Sequence, residues 1–284
     1  MRWVVAGAGG MLGTDVVDVL RTAGHEVLAL TRAELDVTDP AACARAVPAS
    51  TDVLVNCTAH TAVDAAETEE AAAFAVNAVG ARNLAVAAGA AGARFVHVST
   101  DYVFDGLAQE PYAPDHLVAP RSAYGRTKAA GEWAVQASGA DALVLRTAWL
   151  YGAHGGCFPK TMVKAGRERG ALSVVDDQVG QPTWTRDVAD LVARLVSAGA
   201  PAGTYHAVSA GSCSWFEFAR TVLASAGLAE VDVKPVSSAE FVRPAPRPAF
   251  SVLSTQNLPG AGVQPIGDWR SRWDVAASDV LAAV

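Results

Sequence analysis

A glycine-rich turn between a strand and a helix constrains this chain more than any other part of its 284 residues. The apolar segment Arg2–Ala6 predicts a strand, and the sequence Gly-Ala-Gly-Gly-Met-Leu-Gly follows it at residues 7–13, opening a helix that ends near residue 23. Gly7 permits a tight turn, Gly10 lets backbone N–H groups approach a pyrophosphate, and Gly13 lets the helix pack closely on the sheet. This arrangement predicts a βαβ unit that binds a dinucleotide.

Further apolar, β-branched segments predict buried strands at residues 25–30, 52–56, 94–98 and 142–147, and the longest helical segment covers residues 69–91. Because strands and helices alternate, we expect an α/β fold: a Rossmann-type doubly wound parallel sheet with a smaller C-terminal substrate lobe. The dinucleotide-binding domain is expected at residues 1–153, with 178–209 returning to it. The substrate-binding lobe is expected at residues 154–177 and 210–284.

The composition narrows the classes of protein. A net charge of −7 argues against nucleic acid as a partner. No run of about 18 apolar residues is free of charges or helix breakers, and no signal-peptide pattern is present, so we expect a cytoplasmic protein without a membrane partner. The cysteines at positions 43, 57, 157 and 213 lack zinc-site spacing, and the histidines form no H-E-x-x-H pattern, so no metal site is expected.

Two residues on one predicted helix indicate chemistry. Tyr124 and Lys128 lie four residues apart in the helical segment 122–136, so their side chains share a face. An ammonium stabilises a neighbouring phenolate, and we therefore expect the pKa of Tyr124 to fall. The strand at 94–98 delivers Ser99 and Thr100 to its carboxyl end, where open parallel sheets carry their sites. Together these residues predict reduction of a ketone or oxidation of an alcohol; an ordinary solvated i,i+4 pair is the alternative.

These motifs also carry a resemblance. The Tyr-x-x-x-Lys pair and the Gly-x-x-Gly-x-x-Gly turn resemble those of extended short-chain dehydrogenases/reductases. The unbroken Ser-Thr-Asp-Tyr-Val-Phe-Asp-Gly at residues 99–106 resembles, more narrowly, the dTDP-4-dehydrorhamnose reductase family. The resemblance spans nearly the whole chain and weakens after about residue 268. It implies NAD(P)H-dependent reduction of the C4 ketone of a dTDP-4-keto-6-deoxyhexose, first of all dTDP-4-dehydrorhamnose, by a monomer or homodimer.

The resemblance also implies roles for the residues. Tyr124 would protonate the developing alkoxide, Lys128 would hold the nicotinamide ribose, Thr100 would bind the carbonyl oxygen, and Asp101 would lie close to the sugar. The implied cofactor-binding residues are Gly7, Gly10, Met11, Leu12, Gly13, Thr31, Arg32, Asp36, Val37, Thr58, Ala59, His60, Tyr124 and Lys128. The implied substrate-binding residues are Asp101, Tyr102, Phe104, Trp149 and Arg247.

Thr31 and Arg32 bear on the choice of cofactor. An NAD enzyme usually places an acid after the second strand, whereas a hydroxyl and a guanidinium suit the 2′-phosphate of NADPH. Glu34 follows closely and keeps NADH possible, and a surface role for Arg32 is equally open. His60 stands where the family has Tyr; we expect it to face cofactor or substrate, with an acid/base role as the alternative.

Other positions carry two interpretations. Arg247, in a proline-rich segment that matches the family's Arg-Pro-x-x-Ser-x-Leu, would face the substrate diphosphate or lie on the surface. Trp149 would lie near the sugar or pack in the core. Some family members bridge a dimer through carboxylates and a metal; a Mg²⁺ site of that kind stays open here, because its ligands cannot be assigned.

Three other functions share this fold. The chain could reduce another dTDP-deoxysugar of a natural-product pathway, act as a nucleotide-sugar epimerase or dehydratase, or serve as a non-catalytic regulatory subunit. A dehydratase would carry further carboxylates at the strand end, and here Asp101 has no adjacent Glu. The presence of Thr100, Tyr124 and Lys128 together argues against a regulatory subunit.

Overall fold

Alternating strands and helices wind the chain into a parallel sheet with helices on both faces, which confirms the predicted α/β fold class. The computed structural model describes residues 1–282 and residue 284. The strands are β1 (Arg2–Ala6), β2 (Glu26–Leu30), β3 (Val53–Asn56), β4 (Arg94–Thr100), β5 (Ala142–Thr147), β6 (Leu150–Tyr151), β7 (Ala171–Val175), β8 (Val179–Gly180), β9 (Thr183–Trp184), β10 (Gly203–His206), β11 (Cys213–Ser214) and β12 (Asp232–Val236).

The main sheet has the order β2-β1-β3-β4-β5-β10 and every pair in it is parallel. From β1 the chain moves outward to β2 and then crosses to β3 on the other side of β1. The strand order therefore reverses between β1 and β3. In sheets of this type a crevice opens at such a point, beyond the carboxyl ends of the strands.

Helices cover both faces of the sheet. The α-helices are α1 (Met11–Thr22), α2 (Pro40–Ala46), α3 (Glu70–Phe74), α4 (Ala81–Ala90), α5 (Ala123–Ala137), α6 (Phe158–Arg169), α7 (Thr185–Ser197), α8 (Trp215–Ser225) and α9 (Trp269–Leu281). One apolar core joins the sheet to α1 and α7, and a second joins its other face to α2 and α4. After the short strands β8 and β9, α7 and β10 bring the chain back to the main sheet, where β10 pairs with β5.

A second, smaller core is built from aromatic side chains. Tyr151, Phe218 and Trp273 are fully buried in it, between α8, α9 and the strand β6. The helix α8 begins with a capping box, in which Ser214 and Glu217 bind each other's backbone N–H groups. The lobe boundaries given above stay a prediction.

The predicted helix over residues 69–91 is interrupted. Residues Ala75–Gly80 form a π-helical segment between α3 and α4. Asn77 lies in this segment, and a Cβ at Gly131 of α5 would collide with the Asn77 carbonyl oxygen, so the two helices approach each other unusually closely. The whole stretch Glu70–Ala90 has the length and composition of a membrane-spanning helix, but 56% of its apolar 18-residue segment is buried inside the fold.

The close approach at Gly131 predicts a difference between two helical glycines. Gly131→Ala should lower the free energy of unfolding by about 1–3 kcal/mol, because the new methyl group meets backbone atoms that cannot yield. Gly89→Ala is the matched control: its Cβ would meet nothing nearer than 4.0 Å, so the better helix propensity of Ala should raise stability by about 0.5–1 kcal/mol. Urea unfolding measures both, and equal effects would contradict this packing.

Candidate active site

The end of β4 and the start of α5 are held together by close backbone contact. Ser122 caps α5 by accepting a hydrogen bond from the Gly125 N–H at 3.1 Å. Gly125 has no side chain, and a Cβ there would collide with the Tyr102 carbonyl oxygen. The first turn of α5 therefore lies directly against the turn that follows β4, and this brings Tyr124 to Thr100.

The environment of Tyr124 differs from the expectation. Burial raises the pKa of the phenol to about 12, against a hydrogen bond with Thr100 that lowers it. The Lys128 ammonium instead donates to the Val98 carbonyl oxygen at 2.6 Å. The prediction that the pKa of Tyr124 falls was therefore wrong, because the phenol is buried and the Lys128 ammonium is engaged by a backbone carbonyl group. A phenol with this pKa keeps its proton at neutral pH and can act as an acid.

Lys128 itself is buried, and burial lowers the pKa of its ammonium to about 8. The nearby Glu132 carboxylate opposes that shift. The ammonium is therefore charged at neutral pH and begins to lose its proton in the mildly alkaline range.

Polar groups meet at the end of β4. The Thr100 hydroxyl donates to the Asp101 carboxylate at 2.9 Å and accepts from the Tyr102 N–H at 3.2 Å. Burial raises the pKa of Asp101 to about 6, although hydrogen bonds with Ser251 and Thr100 favour its charged form. Thr147, the register neighbour of Thr100 on β5, has a buried hydroxyl without a hydrogen-bond partner among the described residues. The strand ends thus present hydroxyls and one carboxyl to the same space.

That space is the inner end of a cleft of about 570 Å³, the main cleft. Its other end is the glycine turn, where Gly7 has a φ of +83° and a Cβ would lie 2.8 Å from the carbonyl carbon of Cys57. Gly10 is the N-cap of α1 and leaves the first N–H groups of the helix without a side-chain cap. Predicted residues that line the cleft are Gly10, Met11, Leu12, Gly13, Thr58, Ala59, Thr100, Asp101, Tyr102, Tyr124, Lys128 and Trp149. The uncapped helix end and the lack of side chains suit a phosphate group.

His60 does not face this cleft. Its backbone N–H and carbonyl group are bound by the Asn77 side chain, at 2.8 and 3.2 Å, and its ring points towards Glu69, with Nε2 3.7 Å from the carboxylate. Neighbours Ala59 and Thr61 line the cleft instead. Asn77 thus fixes the backbone of His60 while its ring lies beside Glu69, and a contact of His60 with cofactor or substrate stays a prediction.

The residues after β2 are partly engaged with one another. The Glu34 carboxylate accepts from the Thr31 N–H at 2.7 Å and from the Thr31 hydroxyl at 2.8 Å. Asp36 accepts from both the N–H and the hydroxyl of Thr38, and Val37 is buried. The guanidinium of Arg32 is exposed. A 2′-phosphate at this end would therefore depend chiefly on Arg32.

A second cavity of about 380 Å³, the side cavity, adjoins the main cleft at Tyr102. Trp149 of the main cleft stacks on Trp215 of the side cavity, with ring centroids 3.5 Å apart, and this pair forms the wall between the two spaces. The sequence analysis did not single out Trp215, Phe158, Gln178 or Arg243, which also line the side cavity. Trp215 is the first residue of α8. Its position at the helix end, rather than in the middle of the helix, was the sequence feature that could have indicated a role outside the core.

Arg247 lines the side cavity and is not free. Its guanidinium donates to Asp64 at 2.9 Å and to the Ala245 carbonyl oxygen at 3.1 Å. Arg243 reaches the same carboxylate oxygen of Asp64 at 3.5 Å. Two cations therefore stand at the mouth of the side cavity, and a single carboxylate compensates them.

Phe104 packs in the core of the protein. Its ring stacks on Tyr112 at a centroid distance of 4.3 Å, and the Arg146 guanidinium lies 4.9 Å above it. Only 2% of Phe104 is exposed. Tyr112 and Arg146 therefore enclose the ring, and the contact between Phe104 and substrate stays a prediction.

Comparison with known proteins agrees with this geometry. The family model "RmlD substrate binding domain" matches residues 1–281. A probable dTDP-4,6-dihydroxy-2-methyloxan-3-one 4-ketoreductase of Streptomyces antibioticus is 47% identical, covering 100% of this chain and 97% of the relative. The dTDP-4-dehydrorhamnose reductase of Mycolicibacterium smegmatis is 46% identical, covering 100% of this chain and 86% of the relative.

The fold is also similar to that of a solved structure. The dTDP-4-dehydrorhamnose reductase of Bacillus anthracis, solved in complex with NADP, is 37% identical and superposes with a TM-score of 0.93. That similarity covers 97% of this chain and 98% of the other. The motifs, the geometry of the cleft and the similarity along the whole chain lead to one conclusion: this protein belongs to the dTDP-4-dehydrorhamnose reductase family.

Proposed function

We propose that this protein is an NADPH-dependent ketoreductase that converts dTDP-4-dehydrorhamnose to dTDP-rhamnose. The observation that carries the proposal is the position of Thr100, Tyr124 and Lys128 at the inner end of a cleft that begins at an uncapped helix N-terminus. The relatives named above, which carry the names of dTDP-sugar reductases, support the choice of substrate.

The residues of the main cleft fit a dinucleotide. The N–H groups at the start of α1 would hold the pyrophosphate, and the Lys128 ammonium would hold the nicotinamide ribose in place of the Val98 carbonyl. When bound, the nicotinamide supplies a hydride to C4 of the sugar. Among the described residues, no group of three or more His, Cys, Asp or Glu side chains could hold a metal ion. A Mg²⁺ site between subunits stays open.

Tyr124 would complete the reduction. The Thr100 hydroxyl orients the ketone oxygen, and as negative charge develops on that oxygen the Tyr124 phenol gives it a proton, so that the ketone becomes an alcohol. A pKa of about 12 keeps this proton on Tyr124 until an alkoxide, a stronger base, forms beside it. The hydrogen bond from Thr100, which favours the charged form of Tyr124, then stabilises the phenolate that remains.

The side cavity would hold the nucleotide end of the substrate. Arg243 and Arg247 at its mouth suit a diphosphate, and Trp215 and Phe158 offer aromatic surface for a base. The two cavities adjoin at Tyr102, so the sugar would extend past the Trp149–Trp215 pair and reach Thr100. This division assigns most binding energy to the nucleotide and orientation to the sugar.

A second candidate is reduction of another dTDP-ketosugar. The relative from Streptomyces antibioticus, which is 47% identical, carries the name of a 4-ketoreductase for a different sugar. The same site geometry would serve both reactions, because the ketone oxygen meets the same Thr100 and Tyr124.

A panel of ketosugars tests the function. With NADPH, we expect rapid loss of the reduced-nicotinamide absorbance with dTDP-4-dehydrorhamnose. The loss should be slower with dTDP-4-keto-6-deoxysugars that differ from it in configuration at C3 or C5. The free sugar should give little loss, because it lacks the diphosphate contacts. If dTDP-4-dehydrorhamnose is inert and another dTDP-ketosugar reacts, the second candidate replaces the first. If no nucleotide-linked ketone is reduced while NADPH still binds, the regulatory-subunit interpretation holds instead.

The cofactor choice rests on Arg32. We expect NADPH to bind more tightly than NADH, and Arg32→Ala to weaken NADPH binding by about one to two decades in Kd while leaving NADH unchanged, because one charge-assisted contact is worth roughly 1.5–3 kcal/mol. Arg167→Ala, which removes an exposed Arg from α6, is the control. Titration of protein fluorescence measures each Kd. Equal affinities of the native protein for both cofactors would contradict this role of Arg32.

A further inference from the structure

Glu132 is a buried carboxylate that the reaction described above does not use. It lies on α5, one helical turn after Lys128 and two turns after Tyr124, so the three side chains share a face. Its side chain is 2% exposed. Burial of a carboxylate is costly unless charged and hydrogen-bonding partners compensate it.

The partners of Glu132 come from the two strands that end at the site. The Ser99 hydroxyl of β4 donates to one carboxylate oxygen at 2.5 Å. Arg146 of β5 donates to both oxygens, with its Nε 3.0 Å from Oε1 and its Nη2 2.8 Å from Oε2. Ser99 and Arg146 are register neighbours in the sheet. One carboxylate therefore joins α5 to β4 and β5 at the same level.

The next residue on each strand reaches the main cleft. Thr100 follows Ser99 and Thr147 follows Arg146, and both line the cleft beside Tyr124. Arg146 is itself fixed by the Pro114 carbonyl oxygen at 3.0 Å and by the Phe104 ring. A shift of Glu132 would therefore move the Thr100 hydroxyl relative to the Tyr124 phenol.

Of the ionisable groups around Lys128, Glu132 is the one that provides a negative charge. Cys57, at the end of β3, has a pKa raised to about 12 by burial, and burial together with the Lys128 charge lowers the pKa of His97 on β4 well below its usual value. Both are neutral near pH 7. Tyr124 is neutral as well, so the charged groups close to Lys128 are Glu132 and, beyond it, Arg146.

We propose that Glu132 is a positioning residue of the ketoreductase reaction, which fixes the ends of β4 and β5 against α5 and provides the counter-charge of the Lys128 ammonium. The inference rests on the proposed function. A buried ion pair contributes little net stability compared with apolar residues of the same volume, so its consequence here is the placement of Thr100, Tyr124 and Lys128.

Replacement of Glu132 by Gln separates this role from a merely structural one. Glu132→Gln should lower kcat by about 10- to 100-fold, since a displacement of reacting groups by about 1 Å has an effect of this size. The alkaline limb of the kcat–pH profile should also move to lower pH, because the lost carboxylate no longer raises the pKa of Lys128. Glu168→Gln, an exposed change on α6, should leave both properties as in the native protein.

Two further variants keep the inference testable if Glu132→Gln does not fold. Glu132→Asp keeps the charge but shortens the side chain, and Ser99→Ala removes one tie without changing charge. Both should lower kcat, by less than Glu132→Gln, and leave the alkaline limb unchanged. Circular dichroism and thermal melting establish that each variant is folded.

The outcomes discriminate between this inference and the proposed function. Native kcat in folded Glu132→Gln, or an unmoved alkaline limb in that variant, would overturn the inference. Native kcat in both Glu132→Asp and Ser99→Ala would overturn the positioning role. If the native protein reduces no dTDP-ketosugar at all, the proposed function fails, and the positioning role, which rests on it, fails with it.

Discussion

The buried ion pair between Glu132 and Arg146 joins the elements from which the rest of the site extends. It lies behind the cleft, in a place where removal of one partner would leave an uncompensated charge, at a cost of about 3–5 kcal/mol. Because its two partners are on α5 and β5, and Ser99 adds β4, the pair fixes three elements at one point. The hydroxyl, phenol and ammonium of the site extend from those elements. Their mutual geometry therefore depends on a contact between two side chains that do not line the main cleft.

Close approach of backbone segments also fixes the positions of α5 and α1. Gly125 and Gly131 let α5 lie against the turn after β4 and against the π-helical segment, and Gly13 lets α1 lie against the first turn. Asn77 lies in the π-helical segment, and its side chain is hydrogen-bonded both to the backbone of His60 and to the Thr127 hydroxyl of α5. The loop that carries His60 and the helix that carries Tyr124 are thus held by the same side chain.

Local patterns predicted the parts of the site that depend on local geometry. Helical spacing alone puts Tyr124 and Lys128 on one face, and the glycine turn follows from strand, turn and helix in sequence. Contacts between separate segments could not be predicted in this way. Arg146 packs over the ring of Phe104 and Asn77 holds the backbone of His60, and neither partner is a sequence neighbour. The pKa of Tyr124 is raised chiefly by burial, which depends on the whole fold.

The most direct test of the central claim, that Tyr124 protonates a ketone reduced by the bound nicotinamide, is a single-turnover reaction with NADPH deuterated at the transferring position. Native protein and Tyr124→Phe are compared on dTDP-4-dehydrorhamnose, and mass spectrometry follows the label. We expect deuterium at C4 of the sugar, and a rate lowered by about 10²–10⁴-fold in Tyr124→Phe with cofactor affinity unchanged. A sugar product without deuterium at C4, or a native rate in Tyr124→Phe, would contradict the claim.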